Sequence, residues 1–291
     1  MNLAAPQLAV AELSRASGAY PERLRALESP PELVYLHGRL PDPGAPAVAI
    51  VGTREATAYG LRVAEQLAAS CARAGVAVIS GLARGIDGAA HRGALEAGGL
   101  TVGVVGGGVD VVSPPRHAAL HAQIALTGGL LSEWAPGTPA RPFAFPRRNP
   151  FIAALADVVV VVEAGRKSGT HGTVDVALAL GRTVAAVPGP IDSPQSAGTN
   201  LLLRDGASCI ASPDDLLALA GATPRATRDP SAEFEPDERV VWEALGQHAL
   251  DAESLATTTG IGARQAMAAL ASLELRRVVH ADWAGVYRRA L

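Results

Sequence analysis

The chain has 291 residues, 48% of them hydrophobic, and a formal charge of −3. That length suits one large domain with a smaller one beside it, and the charge excludes a chain that is polycationic throughout. No uninterrupted apolar run reaches the roughly 18 residues of a membrane span, and the first residues lack a basic head, an apolar stretch and a small-residue cleavage site, so the chain reads as soluble and cytoplasmic.

Residues 1–45 are rich in proline and alanine. They hold a short helical pattern near Val10–Ser17, a helical turn at Leu24–Leu27 and a strand at Leu33–Gly38, and are expected to pack on the larger domain as a short extension. Residues 46–221 then alternate. The apolar runs Val48–Val51, Val76–Ile79, Thr101–Val105, Asp157–Val162 and Thr183–Val187 are short and β-branched, as in strands buried on both faces of a parallel sheet. Helical patterns at Tyr59–Ala74, Gly85–Ala97, His117–Ala125, Asn149–Ala156 and Thr170–Leu180 lie between them. Gly75, Gly98 and Gly181 follow three of these where a left-handed cap belongs, and Asn149-Pro150 suits a helix start. Leu201–Leu203, Ser208–Ile210 and Pro213–Ala220 add a strand and helices. The alternation predicts an α/β fold, a Rossmann-like, doubly wound, mainly parallel sheet.

Prolines 224, 230 and 236 mark a linker over 222–236. In residues 237–291, helices at Glu238–Leu245, Ala252–Thr258 and Ala263–Leu275 precede a hairpin of Val278–His280 and Gly285–Tyr287, the pattern of a small winged-helix-like domain. Cys71 and Cys209 read as buried thiols, with neither a disulfide framework nor a metal site. Charge is uneven. Residues 111–167 hold six basic side chains against three acidic ones, whereas residues 233–291 hold nine acidic against six basic.

The turns expected at the sheet's C-terminal edge, where ligands of open α/β sheets bind, carry the candidate chemistry. Gly52, Thr53 and Arg54 form one turn, and Ser80, Gly81, Arg84 and Gly85 a second. Glycine permits tight turns, and free amides at a following helix start attract anions such as phosphate. A guanidinium can clamp a phosphate with two hydrogen bonds. Lys167, Ser168, Gly169 and Thr170 offer an ammonium, hydroxyls and amides before another helix, without the spacing of a P-loop. Phe145, Arg147, Arg148 and Asn149 combine a ring for stacking bases with groups that hold phosphates, as single-strand binders do. For any one turn the alternative is that glycines close it and the arginines are solvated; for Phe143 and Phe145 it is a place in the core. Ser80, Ser168, Asp87, His91 and His171 show no spacing of a nucleophile with its base, nor of a metal-ligand set. Neither glycine turn is a dinucleotide fingerprint, so no cofactor is expected.

These motifs, with Gly106–Asp110, Ser132-Glu133, Pro188-Gly189 and Gly198-Thr199-Asn200, resemble the DNA-processing protein A (DprA/Smf) family from about Leu24 to Leu219. The resemblance implies a homodimeric single-stranded DNA-binding protein that helps load RecA recombinase on incoming DNA in natural transformation, with no established catalysis. Where members often carry Tyr-Pro and then a basic residue, this chain has Ser113-Pro114-Pro115 and only then Arg116, which is taken as the corresponding contact. Two other readings compete. Gly169-Thr170-His171-Gly172-Thr173 echoes a turn of nucleoside-monophosphate phosphoribohydrolases of the lysine-decarboxylase-like group, yet the helix after it offers Asp175 and no glutamate before Gly181. A duplex-reading winged helix would rely on Ala263–Leu275, whose one basic residue is Arg264.

Overall fold

The structure, a computed structural model, describes residues 9–223, 230–246, 249–276, 278–282 and 285–289. The chain divides into two compact units, Met1–Arg225 and Ala226–Leu291.

In the first unit, β1 (Ala11–Ser14), α1 (Glu22–Arg25) and β2 (Leu33–Gly38) precede the alternating part. That part runs β3 (Ala47–Val51), α2 (Ala58–Arg73), β4 (Ala77–Ser80), α3 (Ile86–Glu96), β5 (Thr101–Val104), α4 (Ala118–Thr127), β6 (Gly129–Ser132), α5 (Ala144–Leu155), β7 (Val158–Val161), α6 (His171–Ala179), β8 (Thr183–Ala186), α7 (Ala197–Arg204), β9 (Ser208–Cys209) and α8 (Pro213–Leu219). One nine-stranded sheet has the order β1-β2-β6-β5-β4-β3-β7-β8-β9. Pairings from β6 to β9 are parallel, while β1 with β2 and β2 with β6 are antiparallel. The expected doubly wound sheet is therefore present.

Its winding follows from the strand composition. Both faces of β3 are buried, and successive side chains point to opposite sides. Val48 and Ile50 join Leu67, Cys71 and Ile86 of α2 and α3; Ala49 and Val51 join Phe151, Ile152 and Val174 of α5 and α6. Full burial of a Val or Ile side chain contributes about 1.5–3 kcal/mol. Chain order reverses at β3, which has β4 on one side and β7 on the other. This is the topological switch point, and the loops after β3 and β7 part there.

Four expectations are corrected. Val10–Ser17 is not helical: Ala11–Ser14 pairs with Leu33–Leu36, and sheet pairing overrides local pattern. β6 was not expected, because its Gly-Leu-Leu-Ser run lacks β-branched residues. Its glycines permit close approach, since a Cβ at Gly129 would stand 2.2 Å from the Arg39 carbonyl oxygen. The helix expected from Asn149 starts at Ala144, so Pro150 lies inside it and Pro146 is the proline of its first turn. Cys209 is exposed, because β9 is the sheet's edge, while burial pushes the Cys71 thiol up to about 12. Gly75, Gly98 and Gly181 have φ of +79°, +72° and +66°, the left-handed caps expected of them.

The second unit has α9 (Pro236–Leu245), β10 (Leu250–Asp251), α10 (Ala252–Thr259), α11 (Ala263–Leu275), β11 (Val279–Ala281) and β12 (Val286–Arg289). The three strands pair in the order β10-β12-β11, and the helices close over Phe234, Val241, Leu255, Leu270 and Leu273. This is a winged-helix arrangement. Part of the linker expected over 222–236, at residues 224–229, and part of the hairpin turn, at 283–284, lie outside the described residues.

His91 of α3 couples the fold to pH. It is fully buried; its Nδ1–H donates to Thr101 Oγ1 at 2.7 Å, since that hydroxyl already donates to the Val78 carbonyl. Burial lowers its pKa from 6.5 to about 3. The unfolded chain therefore binds this proton more readily, and the stability His91 contributes, complete above 6.5, is lost as pH falls from there towards 3. Thermal midpoints are expected to fall from about pH 7 to about pH 5 more steeply in the parent than in His91→Gln. Identical pH profiles would remove His91 from this role.

Candidate nucleic-acid interface

The turn from β4 into α3 is fixed from within. Ser80 Oγ donates to the Ile50 carbonyl at 2.6 Å. Leu82 takes a left-handed φ of 56° with its side chain fully buried, a strained conformation for a branched residue. His117 Nδ1 donates to its carbonyl at 3.1 Å. Gly85, with φ +76°, lies so close to the β3 turn that a Cβ would stand 2.3 Å from the Thr53 carbonyl oxygen. Ile86 N donates to that same carbonyl. Arg84 is left exposed at the tip.

The turn after β3 is held by β7 in the same way. Thr53 N donates to the Glu163 carbonyl at 2.7 Å, and a Cβ on Gly52 would collide with Ile86 and that carbonyl. The Glu163 side chain, 2% exposed, accepts from Thr57 N at 2.9 Å and Thr57 Oγ1 at 2.6 Å. A carboxylate at the start of α2 suits the helix dipole. At α2 an internal carboxylate thus stands where the sequence suggested an external anion. Glu163 occupies the start of α2; at α3 the Thr53 carbonyl accepts from Ile86 N, while the Asp87 carboxylate accepts from Ala83 N in the preceding turn. The exposed cationic groups at this edge are side chains.

Helix α5 adds Phe145, Arg147 and Asn149 to the residues of the turns. Arg54 is exposed, with its guanidinium carbon 5.1 Å from the Phe145 ring centroid, and forms no ion pair among the described residues. Phe145 packs on Gly106, where a Cβ would meet its ring at 3.2 Å. Arg147 is exposed, donates to Glu133 at 2.8 Å and lies 5.7 Å from the Trp134 ring centroid. Asn149 Nδ2 donates to the Gly169 carbonyl at 3.3 Å, which ties α5 to the loop bearing exposed Lys167. In that loop Ser168 and Thr170 bond each other through their hydroxyls at 2.8 Å.

Five predicted contacts stand apart, since Gly81 and Thr170 are buried along with Arg148 and Ser80, and Arg116 lies elsewhere. Arg148 is 4% exposed and cannot reach a surface phosphate. Its guanidinium runs beneath Gly81, where a Cβ would stand 2.0 Å from Nη1, donates to the Val104 carbonyl and lies 3.6 Å from Asp87. Burial pushes the Asp87 carboxyl above the usual carboxylate range and Arg148 draws it back. Ser80 is buried with its hydroxyl spent on Ile50. Arg116 is exposed but lines a shallow cleft with Arg92, Leu95 and Glu96 of α3, away from Phe145. The predicted residues left at the surface of this edge are thus Gly52, Thr53, Arg54, Arg84, Gly85, Phe145, Arg147, Asn149, Lys167, Ser168 and Gly169.

Sequence reading missed Trp134, which meets Phe143 edge-on at 5.9 Å and stands beside Arg147. Its place directly after Ser132-Glu133 was the available signal. For Leu82 the sequence held none. Among the described residues no group of three or more His, Cys, Asp or Glu side chains is placed to hold a metal, and Asp175 of α6 is exposed. No described helix is long and apolar enough to cross a membrane.

Comparison with known proteins fits this arrangement. Residues 12–221 match the family model of DNA recombination-mediator protein A, and residues 222–282 match the DprA winged helix domain. A putative DNA processing protein DprA of Mycobacterium tuberculosis is 44% identical over 282 residues, covering 93% of this chain and 71% of the relative. DNA processing protein A of Streptococcus pneumoniae superposes with a TM-score of 0.67 at 36% identity, over 72% of this chain and 73% of that one. The Helicobacter pylori protein, whose structure is described for its single-stranded DNA binding mode, gives 0.65 at 28% identity, over 72% and 94%. With the family model spanning residues 12–221 and a relative 44% identical over 93% of this chain, the chain belongs to the DNA recombination-mediator protein A family.

Proposed function

We propose that the protein binds single-stranded DNA along the C-terminal edge of its sheet and acts without a catalytic step as a recombination mediator, helping to load RecA on incoming DNA in natural transformation. The observation that carries this reading is the exposed Arg54 guanidinium resting on Phe145, with Arg84, Arg147 and Lys167 exposed on the neighbouring turns and helix. Unpaired bases have free faces to stack on a ring, whereas a duplex hides them, so a ring flanked by cations favours single strands. The single-strand binding described for the Helicobacter pylori relative, and the family's description as a recombination mediator, support the same reading. RecA as partner and a homodimer as working form are what membership of the family suggests. The sites proposed for DNA contact are those on the surface; Arg148 and Ser80 act beneath it. The winged-helix unit is net acidic, which opposes phosphate contact.

Arg54→Ala is expected to weaken binding of a labelled oligothymidylate about ten- to a hundredfold, since a charge-assisted hydrogen bond contributes about 1.5–3 kcal/mol. Its melting temperature should stay near the parent's, because an exposed cation–π contact contributes only about 0.5–1 kcal/mol. Arg148→Ala should behave in the opposite sense and melt much earlier, since removing one partner of a buried ion pair costs about 3–5 kcal/mol. A folded Arg54→Ala protein that binds like the parent contradicts the assignment. Deleting residues 222–291 should leave a folded protein that still binds the oligothymidylate. Complete loss of binding in a truncated protein with an intact melting transition would move the site to the C-terminal unit.

A further inference from the structure

A second arrangement on the same sheet edge repeats the first. Tyr59, in the first turn of α2, is partly exposed, and the guanidinium carbon of exposed Arg62 lies 5.8 Å from its ring centroid. Arg62, like Arg54, makes no ion pair among the described residues. Beside the Tyr59 ring opens a pocket of about 550 Å³ at the switch point, between the ends of β3, β7 and β8. Tyr59, Pro188 and Pro190 give it flat apolar walls, while Ser193 and Ser196 supply hydroxyls.

The walls are preset. Tyr59 Oη donates to the Pro188 carbonyl at 3.0 Å, and Asn200 exchanges two hydrogen bonds with the backbone of Gly189, at 3.0 and 3.2 Å. Buried Glu163 also lines the pocket. Its negative charge, already seated at the start of α2, repels a phosphate there and favours a neutral group. What suits this chemistry is a flat, uncharged heterocycle with its anionic backbone kept outside, near Arg62.

Resting on the single-strand reading above, we infer that the pocket beside Tyr59 is a second nucleic-acid subsite, which takes one unpaired nucleobase of the bound strand while Arg62 holds a flanking phosphate. Reach permits it. Phe145 packs at the end of β5, and β5 and β8 are four strand spacings apart, about 19 Å, or about six stacked nucleotides. A strand held at Arg54 and Phe145 therefore arrives at Tyr59 without a long detour.

The test is photocrosslinking of the full-length protein to an oligothymidylate of about a dozen residues that carries 5-iododeoxyuridine, with the attachment sites mapped by mass spectrometry. Crosslinks are expected at both Phe145 and Tyr59. Tyr59→Ala should remove the second alone, and Arg62→Ala, which touches only an exposed side chain, should weaken binding about fivefold. Thymidine monophosphate at millimolar concentration should leave the Tyr59 crosslink in place. Crosslinking confined to Phe145, with parental affinity in Arg62→Ala, overturns the second subsite and leaves the single-strand reading intact. Loss of the Tyr59 crosslink alone to the free nucleotide would make the pocket a mononucleotide site, contrary to the proposal. If the parent protein binds no oligothymidylate, both ideas fall together.

Discussion

The surface of this protein depends on one buried contact. Arg148 of α5 passes beneath Gly81, reaches the Val104 carbonyl at the end of β5 and faces Asp87 at the start of α3. A guanidinium that cannot lose its proton is costly to bury alone, so α5 has one seating that gives it partners. That seating fixes the helix across the ends of β4 and β5. Gly81 is required at the crossing, because any side chain there would enter the space the guanidinium fills. Phe145 of the same helix is thereby presented beside Arg54, and Arg147 is left exposed beside Trp134.

The same economy governs the acids. Glu163 and Asp87 sit at the starts of α2 and α3, where another α/β protein would receive a phosphate. With a buried carboxylate at the start of α2, that helix end disfavours a phosphate. The sheet edge keeps exposed guanidinium groups resting on rings, an arrangement indifferent to base identity and suited to any unpaired stretch. Ser80 and His91, two of the polar groups that sequence alone made available, are both buried and hydrogen-bonded within the scaffold. Strain collects in the same place, with Leu82 held at φ 56° by a buried side chain and a histidine at its carbonyl.

Much of this was legible in the sequence. Runs such as Val48–Val51 and Val158–Val161 declare strands buried on both faces, and glycines after three helices mark their ends. β6 was not legible, because Gly129-Leu130-Leu131-Ser132 has no β-branched residue and becomes a strand only between β5 and β2. Pro150 suggested a helix start that Pro146 in fact provides. The site was legible as a list of turns but not as a surface. Arg147 and Arg148 are adjacent and of one type, yet a helix turns by about 100° per residue, so one faces water and the other the core. Position along the chain cannot separate them; seating on the sheet does. Trp134 entered for the same reason, since its neighbour Arg147 is distant in sequence and adjacent only after folding.

The central claim is that a buried arginine fixes the helix whose outer face, with Arg54, receives a single strand. A crystal structure of the protein with a short oligothymidylate tests it most directly. The account predicts a phosphate within hydrogen-bonding distance of the Arg54 guanidinium, a base stacked on Phe145, and Arg148 unmoved beneath Gly81. A strand lying on the winged-helix unit or across another face of the sheet, or Arg148 swung out to meet a phosphate, would contradict it.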